Sequence, residues 1–191
     1  MSREQEVAAR ARRVRLLIMD VDGVLTDGRM VLTERGDEIK FFHTHDGMGV
    51  ALAKRAGLKT AIVTGEKSLI AKARGAKLGV DEVVLGARRK GEIVDALVKK
   101  YGLSLEAAAF IGDDLLDIPV LQRVGFAVAV ADAVPEVKRV AHLVTKARGG
   151  QGAVRETVEV ILRAQAKWRS LVAAYVRDHG GTEEGVGFDE S

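Results

Sequence analysis

The chain has 191 residues, of which 47% are hydrophobic and 30% charged, a composition that excludes an intrinsically disordered protein and suits one packed domain. Its 30 lysines and arginines nearly balance 27 acidic residues, and the net charge of +3 gives no strong electrostatic preference for nucleic acid. The chain contains no cysteine, which excludes disulfides and thiolate metal sites and is typical of a reducing cytoplasm.

The N-terminal fifteen residues are rich in arginine and precede an apolar stretch, Leu16–Leu25. We reject a signal peptide here, because Asp20 and Asp22 interrupt the apolar stretch and no small-residue cleavage pattern follows. No apolar run reaches the ~18 residues of a membrane span. The arginines are not interleaved with aromatic residues, so we predict a solvated helix and neither nucleic-acid nor membrane binding.

Strand-like apolar runs alternate with amphipathic, helix-like stretches along most of the chain. Glycines at 57, 79, 102 and 125 follow predicted helices and are typical of left-handed C-terminal caps. This alternation predicts a doubly wound (Rossmann-like) α/β fold, with a mostly parallel sheet and helices on both faces. The predicted strands are 14–19, 60–63, 82–85, 108–111, 126–130 and 142–144, and the helices between them are 48–56, 67–78, 90–101, 114–124 and 135–140.

One insertion and one tail interrupt this rhythm. Residues 28–42 contain two short apolar runs around a glycine-containing turn and predict a β-hairpin in place of a cap domain. A long helix is expected over about residues 152–176. We therefore predict one domain, 1–179, and a flexible, glycine-rich tail, 180–191.

Carboxylates follow directly after two predicted strands. Asp20 and Asp22 come after the first strand, while Asp113 and Asp114 follow the fourth, with Asp117 close behind. Taken singly, such residues also make Asx turns or helix caps. The carboxyl ends of parallel strands share one sheet edge, however, where clustered carboxylates repel one another unless a cation is bound. The pattern therefore predicts an oxygen-ligand Mg²⁺ site with Asp113 as a ligand, supported by Asp114 and Asp117 from outside the ligand set.

The same edge should receive a hydroxyl and an ammonium group, from Thr64 after the second strand and Lys90 after the third. Both can bind phosphoryl oxygens, although Thr64 could also serve as a helix-entry residue and Lys90 as a solvated surface lysine. Asp20 would attack phosphorus and form an aspartyl-phosphate. Asp22 would protonate the leaving alcohol and then activate water. These residues predict a Mg²⁺-dependent phosphatase.

The motifs DVDGVLTDG, VTG, Lys90 and GDDLLDIPVL resemble, in this order, the four motifs of the haloacid dehalogenase-like phosphatases. The resemblance covers roughly Arg13 to Ala164. The segments GVLTDG, FHTHDGMGVALAKRAG, VAVADA and Gly149–Glu156 are similar to the small capless branch that includes the 3-deoxy-D-manno-octulosonate (KDO) 8-phosphate phosphatases. This branch acts on phosphorylated ulosonic acids in the synthesis of lipopolysaccharide precursors.

The resemblance implies a ligand set and an assembly. Asp20, the backbone carbonyl of Asp22, and Asp113 would hold Mg²⁺. The branch also implies a homotetramer in which hairpins form a barrel and neighbouring subunits help to close each site. In this chain, that role would fall to 30–42 and to the stretch around 148–152.

Substrate selection is the point at which this chain departs from the octulosonate pattern. Where that pattern usually has an arginine, this chain has Glu66, which repels a substrate carboxylate. Similar sequences that act on nine-carbon 2-keto-3-deoxy-nononate 9-phosphates carry TGEK here, with cations at positions like Arg74 and Lys77. Those cations could bind the carboxylate while Glu66 accepts a sugar hydroxyl, or all three could be surface residues. We rank the eight-carbon substrate first and the nine-carbon one second, and predict further substrate contacts at Thr26, Asp46, Gly47 and Gly65.

Three other classes are less well supported by the motif order. A receiver domain also uses clustered acids, a threonine and a lysine, but its acidic pair precedes the acceptor aspartate. A dehalogenase needs no metal and lacks the second aspartate of the DxD motif. A catalytically silent tetramerisation module would have lost the acids that are retained here at positions 20, 22 and 113.

Overall fold

A central sheet of six parallel strands organises the computed structural model, which describes residues 2–182, 184, 186 and 187. Its strands are β1 (Leu16–Met19), β4 (Lys59–Val63), β5 (Glu82–Val84), β6 (Ala108–Gly112), β7 (Phe126–Ala129) and β8 (Leu143–Val144). They lie in the order β5-β4-β1-β6-β7-β8. The predicted parallel α/β sheet is confirmed: each predicted strand is present, with one end as predicted and the other shifted by one or two residues.

Helices cover both faces of this sheet. They are α1 (Arg3–Arg13), α2 (Thr44–Arg55), α3 (Leu69–Leu78), α4 (Lys90–Lys100), α5 (Ile118–Leu121), α6 (Pro135–Val140), α7 (Ala153–Ala164) and α8 (Trp168–Asp178). α7 packs against α1, α2 and α8, while α5 contacts both α4 and α6. Crossovers between parallel strands are right-handed as a rule, and with this strand order the rule assigns the two groups to opposite faces, as a doubly wound arrangement requires. None of the helices in the described part of the chain has the length and apolar character to span a membrane.

β1 lies at the centre of the core. All four of its side chains, Leu16 to Met19, are fully buried, because β4 and β6 flank it and helices cover both of its faces. The chain runs from β1 towards β4 on one side and returns to β6 on the other. Such a reversal of strand order opens a crevice at the carboxyl end of the central strand, directly before Asp20.

The predicted hairpin is present but its strands are short. β2 (Val31–Leu32) pairs antiparallel with β3 (Glu38–Ile39), and Gly36 adopts a left-handed conformation (φ 83°) in the turn between them. The hairpin lies between β1 and α2, inside the predicted range 28–42. No cap-sized insertion interrupts the fold over residues 2–182.

The single long helix predicted over 152–176 is wrong. Two helices, α7 and α8, replace it, and the break lies at Ala166, which has a left-handed backbone (φ 54°). The Lys167 backbone N–H donates to the Leu162 carbonyl, and its ammonium donates to the Ala56 carbonyl at the end of α2. These bonds turn α8 back over the layer that α2 and α7 form. Periodicity did not reveal the break, since alanine is a good helix former.

Two further predictions on local structure need correction. The helix expected over 114–124 is a 3-10 turn, Leu115–Asp117, followed by the four-residue α5. Asp114 caps that turn, accepting the Leu115 N–H at 2.7 Å. Gly57, Gly79 and Gly102 have the predicted left-handed conformation, but Gly125 does not. A side chain at position 125 would collide with the Glu106 backbone, so that glycine permits a close approach of two chain segments.

Half of the predicted flexible tail, 180–191, lies outside the described residues. Its flexibility, and the division into one domain over 1–179, remain predictions.

Candidate active site

An acidic cavity of about 450 Å³ opens at the carboxyl ends of β1, β4 and β6. The predicted residues that line it are Asp20, Asp22, Thr64, Gly65, Glu66, Asp113, Asp114 and Asp117. A larger groove of about 760 Å³ lies between α1, β8 and α7, but its lining is mainly apolar. The groups that can carry chemistry are therefore concentrated in the smaller cavity.

Three carboxylates form the centre of this cavity. Asp20, Asp113 and Asp117 each bring one oxygen to within 4.8 Å of the others, a spacing that can hold a metal ion. Burial, reinforced by the charge on Asp117, raises the pKa of Asp20 to about 6. Burial and the neighbouring carboxylates of Asp117 and Asp20 raise the pKa of Asp113 to about 8. Burial and the mutual repulsion of the carboxylates thus both oppose full ionisation of the cluster.

Two glycines make this close approach possible. A side chain at Gly23 would lie 2.0 Å from Asp113 Oδ2, and one at Gly112 would lie 2.5 Å from Asp117 Oδ2. Gly23 also has a left-handed backbone (φ 82°), which turns the chain sharply after β1. The Asp113 N–H donates to Asp117 Oδ2 at 3.0 Å and fixes the third carboxylate.

Lys90 is buried within the cluster. Its side chain is 1% exposed and its ammonium donates to Asp20 Oδ2 at 2.5 Å and to Asp117 Oδ1 at 2.6 Å. Burial opposes the charged form of Lys90, but the two carboxylates outweigh it and raise its pKa. The Val21 N–H donates to Asp20 Oδ1 at 2.7 Å, so both Asp20 oxygens are fixed. The predicted proximity of Lys90 to the acids is observed.

Asp22 lies at the rim of the cavity, next to the hairpin. Lys40 Nζ donates to Asp22 Oδ1 at 2.5 Å, and it also contacts Glu38 Oε1 at 2.7 Å. Asp22 Oδ2 is buried and has no hydrogen-bond partner within the described part of the chain. The first strand therefore supplies two carboxylates in different surroundings: one is bound to Lys90, the other to Lys40.

Thr64, Gly65 and Glu66 form the wall that follows β4. Thr64 is buried, and its hydroxyl accepts the Glu66 N–H at 3.3 Å. A side chain at Gly65 would lie 2.9 Å from Leu116 across the cavity, so glycine keeps the entrance open there. Glu66 is exposed and lines the cavity, and its contact with a substrate stays a prediction.

Five residues predicted to bind substrate do not line the cavity: Thr26, Asp46, Gly47, Arg74 and Lys77.

Thr26 and Asp46 are used within the fold. The Thr26 hydroxyl accepts the N–H groups of Gly23 and Gly28 and holds the turn after β1 together. The buried Asp46 carboxylate accepts the N–H groups of Gly152 (3.2 Å) and Arg155 (2.9 Å), where it caps the start of α7. Their buried polar atoms are thus occupied by backbone groups, which explains their position away from the cavity.

The remaining three lie on or beside α3. Arg74 stacks over the Phe42 ring at 5.2 Å, and its guanidinium donates to the His43 carbonyl at 3.4 Å. A side chain at Gly47 would meet that guanidinium at 3.0 Å, so glycine gives Arg74 its space. Lys77 is exposed, one turn further along α3.

Residues 76–156 match the family model of the haloacid dehalogenase-like hydrolases. The chain is also 42% identical, over 162 residues, to the 3-deoxy-D-manno-octulosonate 8-phosphate phosphatase of Escherichia coli K12. This alignment covers 85% of the chain and 86% of the relative. The chain belongs to the haloacid dehalogenase-like hydrolases. The predicted family and the predicted enzyme class, a hydrolase, are confirmed.

Solved structures place the chain in the same part of the family. The phosphatase of Moraxella catarrhalis, in complex with a magnesium ion, a phosphate ion and KDO, is 35% identical with a TM-score of 0.87. That match covers 90% of this chain and 98% of the other. The cobalt-bound phosphatase of Haemophilus influenzae is 37% identical with a TM-score of 0.82, and the match covers 87% and 97% of the two chains.

Several residues around the cavity were not predicted from the sequence. They are Gly28, Leu115 and Leu116 in the cavity wall, and Glu38, Lys40 and Ser68 beside Asp22. One signal was available: charged Glu38 and Lys40 alternate with apolar Ile39 and Phe41, so an extended segment would carry the two charges on one face. A strand with charge on one face and apolar residues on the other needs a polar partner for the first.

Proposed function

We propose that this protein is a Mg²⁺-dependent phosphatase that hydrolyses a phosphorylated sugar acid through an aspartyl-phosphate, with KDO 8-phosphate as its first-ranked substrate. The observation that carries the proposal is the buried Asp20 at the end of β1, bound to Lys90 and grouped with Asp113 and Asp117. It occurs in a chain 42% identical to KDO 8-phosphate phosphatases. The resulting KDO would enter lipopolysaccharide precursor synthesis.

The nucleophile and its partner divide the first step between them. Asp20 Oδ attacks phosphorus and the bond from phosphorus to the sugar oxygen breaks, while Asp22 supplies the proton that this oxygen takes. Lys90, whose charge is stabilised by its carboxylate partners, attracts the phosphoryl oxygens as negative charge develops on them. The Thr64 hydroxyl donates to the same group from the opposite wall.

The second step returns the enzyme to its starting state. Asp22, now a carboxylate, takes a proton from water, whose oxygen attacks phosphorus as the bond to Asp20 breaks. Inorganic phosphate leaves, and Asp22 again carries the proton. Both steps use the same acid and the same cavity.

The donor set fits a hard divalent cation. Asp20 and Asp113 would hold Mg²⁺ together with the backbone carbonyl of Asp22, and the cluster consists of oxygen donors. Burial first, and then the charges of Asp117, Asp20 and Asp114, raise the pKa of Asp113 to about 8, and Lys90 offsets this only in part. Mg²⁺ held there would add positive charge beside the carboxylates and the phosphate, so that a carboxylate could approach phosphorus. We place Asp114 and Asp117 outside the ligand set.

Glu66 is the residue on which the choice between the eight-carbon and the nine-carbon substrate depends in this proposal. It lines the cavity, where it would repel the carboxylate of an eight-carbon ulosonate or accept a hydroxyl of a nine-carbon one. Arg74 and Lys77 do not line the cavity, which weighs against their direct role in one subunit. The relatives at 42% identity favour the eight-carbon substrate.

Phosphate release from paired substrates tests this proposal. We expect the purified protein with Mg²⁺ to hydrolyse KDO 8-phosphate with a higher kcat/KM than 2-keto-3-deoxy-nononate 9-phosphate. Glu66→Arg, which restores the octulosonate pattern, should widen this preference, while Glu136→Arg, at an exposed position of α6 away from the cavity, serves as the matched control. A preference for the nine-carbon substrate would reverse our ranking. If the protein hydrolysed neither substrate, the phosphatase function itself would be contradicted.

We also propose the homotetramer that the family resemblance implies. Exposed apolar side chains support it: Met30, Leu32 and Phe41 on the hairpin are each about 60% exposed, and Leu69 is 77% exposed. Leu115 and Leu116 are exposed at the cavity entrance, where a neighbour's hairpin would exclude water. The 148–152 stretch contacts this chain's own loop after β1, through the Gly150 N–H and the Val24 carbonyl.

Light scattering under assay conditions is expected to give the mass of four chains. Leu32→Glu, with its side chain on the exposed face, should lower that mass and the activity together, whereas Ala96→Glu at an exposed position of α4 should leave the mass unchanged. A monomer with full activity would contradict the assembly.

Location in the cytoplasm remains a prediction from composition.

A further inference from the structure

The loop between β8 and α7, residues 146–152, is bound by carboxylates from three parts of the chain. They are Asp46 on α2, Asp132 in the turn after β7, and Glu156 on α7. Together they accept the N–H groups of Lys146, Ala147, Gly149 and Gly152, at distances between 2.8 and 3.2 Å. Hydrogen bonds to ionised acceptors are stronger than neutral ones, so these bonds fix the segment, which we call the support loop.

The support loop packs directly on the turn that follows β1, residues 20–27. The Gly150 N–H donates to the Val24 carbonyl at 2.8 Å. A side chain at Gly149 would lie 1.8 Å from the Gly23 carbonyl oxygen, so the two backbones touch without a side chain between them. Because no flexible side chain separates the two segments, a shift of one is transmitted to the other.

The turn after β1 also contacts the acidic cluster. It begins with Asp20 and Asp22, and a side chain at Gly23 would lie 2.0 Å from Asp113 Oδ2. The position of the turn therefore sets the distance between the carboxylates that follow β1 and the one that follows β6. Displacing a catalytic group by about 1 Å can lower a rate by about 100-fold, so the turn needs support from outside.

We propose that Asp132 is a positioning residue: through the support loop, it holds the turn after β1 in the geometry that the phosphatase reaction needs. The inference rests on the proposed phosphatase function and deepens it. Asp132 does not line the cavity, so its effect requires no contact with the substrate. Its Oδ1 accepts the Gly149 N–H and its Oδ2 accepts the Arg148 Nε–H at 3.1 Å, so both oxygens bind the support loop. Asp46, by contrast, also caps α7, so replacing it would disturb a helix as well.

The kinetics of Asp132→Ala, assayed well below its melting temperature, test this role. We expect kcat for the preferred ulosonate phosphate to fall by roughly 10- to 100-fold, because the turn after β1 is then free to shift. KM should change by less than about threefold, because the proposed phosphate-binding groups, Thr64 and Lys90, lie outside the turn. Asp132→Asn keeps one acceptor oxygen and should lose only about threefold in kcat, since a neutral acceptor forms a weaker bond.

Asp81→Ala provides a matched control at the opposite end of the sheet. The Asp81 carboxylate accepts the Thr60 N–H at 2.9 Å and lies 3.0 Å from Lys59 Nζ, where β4 begins. Asp132 makes the same kind of pair, with one backbone N–H and one cationic side chain. Asp81→Ala should therefore lower the melting temperature while leaving kcat unchanged.

Hydrogen exchange measures the coupling between the two segments directly. In Asp132→Ala, we expect faster deuterium uptake in peptides that span 20–28 as well as in those that span 146–152. In Asp81→Ala, both peptides should exchange as in the wild type. Particle mass is measured as well, since a smaller assembly in Asp132→Ala would attribute the loss of activity to the subunit interface and overturn the inference.

Each result either supports the role of Asp132 or overturns it. An unchanged kcat, a loss that Asp81→Ala matches, or a change confined to KM would overturn it, as would a lower kcat without faster exchange over 20–28. If Asp132→Ala does not fold, Asp132→Asn decides: a lower kcat with faster exchange over 20–28 supports positioning, and a wild-type value of either overturns it. A folded wild-type protein that hydrolyses neither ulosonate phosphate would overturn the phosphatase function and this inference with it.

Discussion

Asp20→Asn is expected to abolish phosphate release, with kcat lower by on the order of 10⁴-fold or more, as for other covalent nucleophiles. An amide has nearly the shape of a carboxylate but cannot attack phosphorus at a useful rate. The Val21 N–H and the Lys90 ammonium donate to different oxygens of Asp20, so the single amide oxygen keeps one of these donors while the amide NH2 faces the other. A melting temperature equal to that of the wild type is the check that the site remains assembled. The loss would then report chemistry rather than folding.

Two measurements separate a loss of chemistry from a loss of folding in Asp20→Asn. Phosphate release gives kcat, and acid quenching of a reaction with ³²P-labelled substrate measures protein-bound phosphate, which should vanish in Asp20→Asn. Asp95→Asn is the matched control, because it makes the same exchange in a carboxylate on α4 that pairs with Arg123 at the surface. Undiminished turnover in Asp20→Asn would overturn the assignment of the nucleophile.

The sheet and the site edge could be predicted because both depend on local patterns. A run of four apolar residues, Leu16 to Met19, needs burial on both faces, and only a central strand provides this. Residues that directly follow parallel strands must then meet at one edge. The positions of Asp20, Thr64 and Asp113 at one edge could therefore be predicted without information on packing, and the three residues line one cavity.

The residues that were misplaced depend on contacts between distant segments. Asp46 follows no strand; its carboxylate binds the N–H groups at the start of α7, more than 100 positions away. The alternation at 38–41 indicated a charged face that includes Lys40, but not its contact with Asp22, which depends on how the hairpin folds. The break at Ala166 comes from a lysine that reaches the end of α2, and local helix propensity contains no information on that bond.

The glycines next to the acids also have a role that the sequence alone does not reveal. Gly23 and Gly112 could be read as turn residues, but their close contacts reveal a second reason for glycine. A side chain at either position would occupy the space of Asp113 or Asp117. The motif therefore includes glycines that are needed because they have no side chain. Only a structure shows which neighbouring atoms fill the space that they leave.

Removal of Mg²⁺ is expected to stop turnover and to change how stability depends on pH. Burial and the charges of Asp117 and Asp20 raise the pKa of Asp113 from 3.8 to about 8. Between these values the folded protein binds a proton that the unfolded chain has lost, so the stability of the metal-free protein falls as pH rises through this range. Each unit of pKa shift corresponds to about 1.4 kcal/mol. Asp20, with a pKa raised to about 6, acts in the same direction.

Bound Mg²⁺ should reverse this trend, because it stabilises the ionised carboxylates and must displace protons at lower pH. We therefore expect millimolar MgCl₂ to raise the melting temperature of the EDTA-treated protein by several degrees near pH 8.5, and by less near pH 6. Asp113→Asn should lose most of this response, and without metal it should melt above the wild type at the higher pH. Asp95→Asn should respond as the wild type does. An equal Mg²⁺ effect at both pH values, or a full response in Asp113→Asn, would show that the cation is held elsewhere.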